Sequence, residues 1–478
     1  MASDAPTPTP YSTRLRTALV LTGTGTAGAY HAGVLRALHE AGVRIDLVGG
    51  RGAGAIGAMF AAVDGGQRLW EHDGLWKKGG LARAYGWRRP LRVAGWAVVA
   101  AGALLGVPLA LFAAGVLASL VGVLLWMVSF TSASTAVTSA YARTLDALFA
   151  PSALPTLIPR LIVLCLLVAV AALAAGLAAG AWRAAPRRVA HRSFWRLLGA
   201  PLSTSLVIDR AAAELWNLIR GAAAIAPPPR ADLGRRYAEL LAENLGQPGF
   251  RELLLVAHDM DARRDLVFAL LGEGERQRFL THRGYATPEG GRGAEVFDLA
   301  GVGRDHVMDS LSAALAVPVA TDPHLIKFAA EGAWRGETHR VCDRPGALER
   351  LLEEVAAAGA EQVIVLSAAP PPARPHELSA GRADLRGRAG EHLAAFEAAA
   401  LRDLVEQAQA AKGFAGLYLI RPAHNPVGPL DFGGVYDERS DRRYAVAELV
   451  DRGYEDAYRQ FIEPVVAASG ERLAAVQS

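Results

Sequence analysis

The chain has 478 residues, a formal net charge of +3 and 52% hydrophobic residues, with mean hydropathy +0.20. So small a charge imbalance leaves no basic footprint for nucleic acid, and the hydropathy is high for a purely soluble chain. The length allows about two to three domains. The two cysteines, Cys165 in an apolar run and Cys342 in a polar segment, are not expected to pair and have no metal-ligand spacing.

Met1 to Thr13 is rich in Pro, Thr and Ala and lacks the apolar core of a signal peptide, so residues 1–13 read as a disordered tail. Residues 14–90 then alternate strand and helix. Thr17 to Thr22 is a short apolar run ending in glycines, and Tyr30 to Glu40 carries apolar residues at helical spacing. Arg44 to Val48 reads as a second strand ending in glycines, and Gly54 to Val63 as a buried Ala-rich helix.

Residues 91–183 are of another kind. Val93 to Phe130 and Leu161 to Trp182 contain no charged residue. A bilayer core takes about 20 apolar residues as helix. The second run fits one span; the first is long for one, and Pro108 could kink it. Lys77, Lys78, Arg83, Arg88, Arg89 and Arg92 precede the first run, and Arg183, Arg187, Arg188, Arg192 and Arg196 follow the second; only Arg143 and Arg160 lie between. Both outer flanks are therefore expected on the cytoplasmic side, which requires an even number of spans, most simply two, with the Thr/Ser/Ala-rich middle facing out. Trp96, Trp126 and Trp182 stand where interfacial anchors would. A buried helical hairpin in a large soluble core is the alternative.

Residues 184–478 resume the alternation. Glu252 to His258, Gln362 to Ser367 and Gly416 to Ile420 read as buried strands, and Pro345 to Ala358 and Glu391 to Ala411 as helices, with loops at Pro227 to Pro229 and Pro370 to Pro375. Fully apolar strands alternating with helices imply a mostly parallel sheet covered on both faces. The two soluble segments are expected to form one α/β domain, interrupted by the membrane hairpin.

The most specific segment runs from Leu19 to Ala58. It holds two glycine-rich turns, Gly23-Thr24-Gly25-Thr26-Ala27-Gly28 and Gly49-Gly50-Arg51-Gly52-Ala53-Gly54, each between a strand and a helix. The first is a literal G-x-G-x-x-G and could receive a pyrophosphate, but the ribose-binding acid should end the second strand, whereas Asp46 lies inside it. The pair fits serine acyl hydrolases of this layout better, in which one Gly-rich turn forms an oxyanion hole and the next strand ends in G-x-S-x-G.

This segment resembles the start of patatin-like phospholipase domains. Weaker similarity continues through Ala257 to Ala262, Leu311 to Pro318 and Gly359 to Ser367. The resemblance implies a three-layer α/β/α fold, a membrane-lipid partner, no cofactor or metal, and hydrolysis by a Ser–Asp dyad built on G-G-G-x-R-G, G-x-S-x-G and D-G-[GA] motifs; it says nothing of protein partners. The sequence departs from that pattern at three places. The nucleophile position is Gly52, within Gly50, Arg51, Ala53 and Gly54. In the oxyanion loop of Gly23, Thr24, Gly25, Thr26, Ala27 and Gly28, the motif's arginine is Ala27. At the dyad-aspartate position the nearest fit is Arg335, with Asp431 as a later alternative that otherwise reads as a turn aspartate.

Without Ser and Asp, the expected function is lipid binding or regulation. An acyl hydrolase with a displaced nucleophile (Thr24 or Thr26 with Asp431) and a membrane-anchored nucleotide-binding protein using Gly23 to Gly28 are the alternatives. Arg51 and Arg335 could add positive charge to a head-group pocket, or could face solvent or pair with carboxylates. His31 reads as a packing or capping residue. His258, Asp259 and Asp261 form a strand-end cluster that could bind metal or act as acid and base.

Overall fold

A computed structural model describes residues 10–184, 200–281, 293–330, 334–373, 384–411, 413–437 and 442–466. The chain divides into two compact units, one of Met1–Gly86 with Leu202–Ser478 and the other of Trp87–Pro201.

The first unit opens with β1 (Thr17–Thr22), α1 (Ala27–Glu40), β2 (Leu47–Arg51) and α2 (Gly54–Ala62). β2 lies three residues later than its expected start at Arg44. Gly49 and Gly50, read as a turn, are buried strand residues. A Cβ on Gly49 would stand 3.1 Å from Leu351, so the bare backbone is what lets a helix pack there.

Among its described residues the second unit contains three helices: α3 (Arg89–Met127), α4 (Thr131–Leu148) and α5 (Leu154–Ala184). Two of them, Arg89–Met127 and Leu154–Gly180, are long and apolar enough to cross a membrane. α4 is a helix where the sequence suggested only a polar connection. Its threonines satisfy their hydroxyls on the preceding turn, Thr144 on Ala140 at 2.8 Å and Thr138 on Ser134 at 3.0 Å. α3 and α5 meet through small residues, Ala94 and Ala97 against Ala169. The side chain of Trp182 and the basic residues from Arg183 to Arg196, read as an anchor and a flank, lie outside the described side chains.

The first unit then continues with α6 (Ser205–Arg220), α7 (Arg230–Asn244), β3 (Glu252–Asp259), β4 (Arg264–Leu270), β5 (Ala294–Asp298), α8 (Val307–Leu315), β6 (His324–Lys327), β7 (Thr338–Cys342), α9 (Leu348–Ala357), β8 (Gln362–Ser367), α10 (Leu385–Ala411), β9 (Gly416–Ile420) and α11 (Glu448–Ala457). Nine strands form one sheet in the order β9-β8-β1-β2-β3-β4-β5, with β7 paired to β3 and β6. β9, β8, β1, β2 and β3 are mutually parallel, β4 is antiparallel to β3, and β4 and β5 are parallel. Alternate residues of each central strand enter two separate cores. Leu19 and Leu21 of β1 pack with α1, α2, α7, α8 and α11, while Ala18 and Val20 pack with α9 and α10. Both faces of the sheet are thereby covered, which is what near-continuous apolar strands require.

The segment read as a tail to Thr13 is in part structural. Tyr11 is buried, donates its hydroxyl to the Arg44 carbonyl at 3.0 Å and packs edge-on to Phe461. Residues 1–9 of that tail lie outside the described residues.

Candidate functional site

The parallel pairing of β1 and β2, with Leu21 opposite Gly50, brings both glycine-rich turns to the same end of the sheet, where α1 and α2 begin. Gly23 (φ +134°) and Gly25 (φ +57°) shape the first turn, and Gly52 (φ +55°) forms the corner between β2 and α2. That left-handed corner is strained for any residue with a Cβ. Gly52 keeps the turn and carries no reactive atom.

The space a side chain would need is filled. A Cβ on Gly52 would lie 2.2 Å from the carbonyl oxygen of Gly23 and 3.0 Å from Oδ2 of Asp343. The same Gly23 carbonyl accepts the Ala53 N–H at 2.8 Å. Ala53 follows the corner, the position whose N–H serves as an oxyanion donor in acyl hydrolases of this layout. The first turn is closed likewise: the Thr26 N–H donates to the Pro429 carbonyl at 2.9 Å, and the Thr26 hydroxyl to Gly428 at 3.0 Å. A Cβ on Gly25 would stand 2.0 Å from the Pro429 oxygen.

Residues 425–432 thus form a strap over the glycine turns. Asn425 holds it to the Ala368 carbonyl at 3.1 Å, and Arg386 donates to the Leu430 carbonyl. Phe432 is stacked on Tyr85 and Trp76, and Trp76 in turn lies against Gly28. Asp431 belongs to the strap's own turn, its N–H donating to Gly428 at 3.0 Å.

Arg335 is not the residue facing the corner. It lies exposed in the turn between β6 and β7 with φ +46°. The carboxylate at Gly52 is Asp343, directly after β7 and 2% exposed. Sequence reasoning missed it. The available signal was an apolar-ending strand running into Asp343-Arg344-Pro345-Gly346, shortly after Arg335.

Arg51 does not meet solvent. Its side chain is 1% exposed and grips both oxygens of Asp343 at 2.9 and 2.8 Å through one nitrogen. Its other terminal nitrogen meets Glu397, which also accepts the Thr22 hydroxyl. Burial opposes the guanidinium's charge, yet the two carboxylates raise it above its usual value. Asp343 is raised by burial, Arg51 countering and Glu397 adding to the rise.

His31 packs under the first turn, fully buried, with Nε2 3.0 Å from the Thr22 carbonyl. Burial lowers it to about 4, so it is neutral at ordinary pH. The strand-end cluster resolves into separate hydrogen-bonded pairs: His258 with Asp265 at 2.9 Å, Asp259 with His339 at 2.5 Å, and Asp261 with Arg340 at 2.7 Å. Among the described residues no group of three or more His, Cys, Asp or Glu side chains is placed to hold a metal ion.

Comparison with known proteins bears on this geometry. A stretch of 62 residues is 48% identical to patatin-like phospholipase domain-containing protein 6 of mouse, and equally to the human protein. The similarity is patatin-like. It covers 13% of this chain and only 5% of the mouse relative and 4% of the human one. No family model matches the chain. Among solved structures, VipD from Legionella pneumophila aligns over 93% of this chain and 66% of that one, at 13% identity and a TM-score of 0.28, too low to assign the fold.

Proposed function

We propose that this protein is a membrane-anchored relative of the patatin-like phospholipases, with a patatin-like three-layer fold, that engages lipid without cleaving it by a Ser–Asp dyad. The observation that carries the reading is the Gly23 carbonyl. It stands where a nucleophile's side chain would be, and it occupies the Ala53 N–H. The 62-residue similarity supports the lipid connection. The two long apolar helices support anchoring by two spans, and the basic residues flanking them in the sequence support a cytoplasmic side for the sheet-bearing unit.

No observation favours the alternatives. The Thr26 hydroxyl donates to a carbonyl and not to a carboxylate. Pro429 fills the turn where a pyrophosphate would need backbone donors.

Ester hydrolysis by the purified protein in detergent, on short-chain nitrophenyl esters and mixed phospholipids, tests the reading. No turnover is expected. Gly52→Ser alone is expected to stay inactive, since its Cβ meets the Gly23 carbonyl, and adding Arg335→Asp changes nothing because Asp343 already faces the corner. Turnover by the native protein that survives alteration of Gly52 would overturn the proposal.

A further inference from the structure

α3 is too long for the membrane it is read as crossing. Its 39 residues span about 58 Å at 1.5 Å per residue, against a hydrocarbon core of about 30 Å. Its two halves have different neighbours. Near its start, Pro90 lies against Gly176 of α5, and Ala94 and Ala97 pack on Ala169. Towards its end it runs beside α4 instead: the Tyr141 hydroxyl donates to the Leu111 carbonyl at 2.7 Å and Ser134 to Gly122 at 2.8 Å.

The charged residues mark where one half gives way to the other. Between Arg92 and Arg183 the only charged side chains are Arg143, Asp146 and Arg160. Carried along the antiparallel contacts, all three fall level with the stretch of α3 around Pro108. From Arg89 to Pro108 is about 28 Å of helix, the thickness of one bilayer core. The first half of α3 with α5 therefore fills the bilayer between two charged levels, and the second half with α4 lies beyond it.

That outer hairpin is two-sided. The face of α3 turned away from α4 exposes Leu109, Leu117, Leu120 and Leu124, each more than half accessible. α4 presents Ser, Thr and Arg143 on the other side. Such a surface cannot remain in water, and it is continuous with the lipid-facing surface of the spanning half. Pro108, lacking an N–H for the Leu104 carbonyl, gives the helix a weak point at the boundary.

We propose that the hairpin of residues 109–148 lies along the lipid–water interface on the far side of the bilayer, the apolar face of α3 in the acyl chains and α4 towards water. This rests on the membrane reading above.

Spin labels in the full-length protein, reconstituted in phosphatidylcholine–phosphatidylglycerol nanodiscs, test it at Leu117→Cys, Ser139→Cys and Val170→Cys. Cys165→Ala clears the background; Cys342 is buried and its thiol is pushed up to about 12, burial being the main cause, so it does not label. The expected result is a lipid-contacting, shallow label at Leu117, a label open to aqueous nickel chelate at Ser139, and a deep label at Val170. Aqueous access at Leu117, a depth there equal to that at Val170, or dipolar broadening from a second copy at Leu117 would each overturn the proposal. Aqueous access at Val170 as well would overturn the membrane reading with it.

Discussion

Arg51 carries a full charge into a space that water does not reach, and its neighbours are arranged around that fact. Arg51→Met leaves Asp343 and Glu397 buried without a cation and is expected to cost about 3–5 kcal/mol in chemical denaturation. Arg51→Met combined with Asp343→Asn and Glu397→Gln removes all three charges and is expected to recover most of that loss. Acid sensitivity has a separate source. Asp309 accepts from His306 at 3.0 Å and His324 at 2.7 Å. Burial works to raise it, but these hydrogen bonds and the histidines' charge hold it at about 2. A depressed carboxylate stabilises fully above its unfolded value, near 4, and the contribution is lost as pH falls through 2. Asp309 is 34% exposed, so screening leaves about 1 kcal/mol. The thermal midpoint of the native protein is expected to fall more steeply between pH 4 and 2 than that of Asp309→Asn. Gly52 and the glycine turns were legible in the sequence because local backbone demands fix them. The partners of Arg51 were not: Asp343 and Glu397 lie 292 and 346 positions away, and no local pattern announces such a contact.

Where two helices touch, glycine sets the distance. α1 and α11 cross with Gly33 facing Val450 and Gly453 facing Tyr30; a Cβ on Gly33 would fall 1.8 Å from the Val450 carbonyl. The obstacle is backbone, so the helices must separate. Gly33→Ala is expected to lose about 3 kcal/mol in urea unfolding, and more than a substitution at Gly274, where a Cβ meets nothing within 4 Å. The strands β1, β3, β8 and β9 were readable as apolar runs. β4, β5, β6 and β7 were missed, β6 and β7 being short, with polar residues alternating into the pattern. α4 escaped for another reason. Its Ser and Thr residues suit a loop in water, yet their hydroxyls here close on their own helix.

Taken as a whole, the chain has one sheet-bearing unit encoded on both sides of an inserted helical unit. The first has two cores of its own, and among the described residues neither includes any between Gly86 and Leu202. Replacing residues 87–201 with a Gly/Ser linker of about 20 residues, which reaches roughly 25 Å as a flexible coil, is expected to give a protein that is monomeric without detergent and unfolds cooperatively. Aggregation of that variant, with no thermal transition, would show that the sheet depends on the insert. In the sequence, hydropathy separates the two kinds of segment. The exact seam was not legible: the units part at Gly86 and Pro201, where chain direction and packing decide and composition does not change.

The sheet order also bears on how the protein is made. β1 lies between β2 and β8, with Val20 opposite Val365. Its second neighbour is synthesised about 345 residues after it, and at about 5–20 residues per second that delay is roughly 17–70 seconds. During that interval the apolar helices emerge, while β1 and β2 present bare edges. A ribosome translating this chain therefore holds an unfinished sheet while the whole helical unit is made. Cells depleted of holdase chaperones should accumulate fragments cut near β1 and β2 before they lose any of the inserted helices.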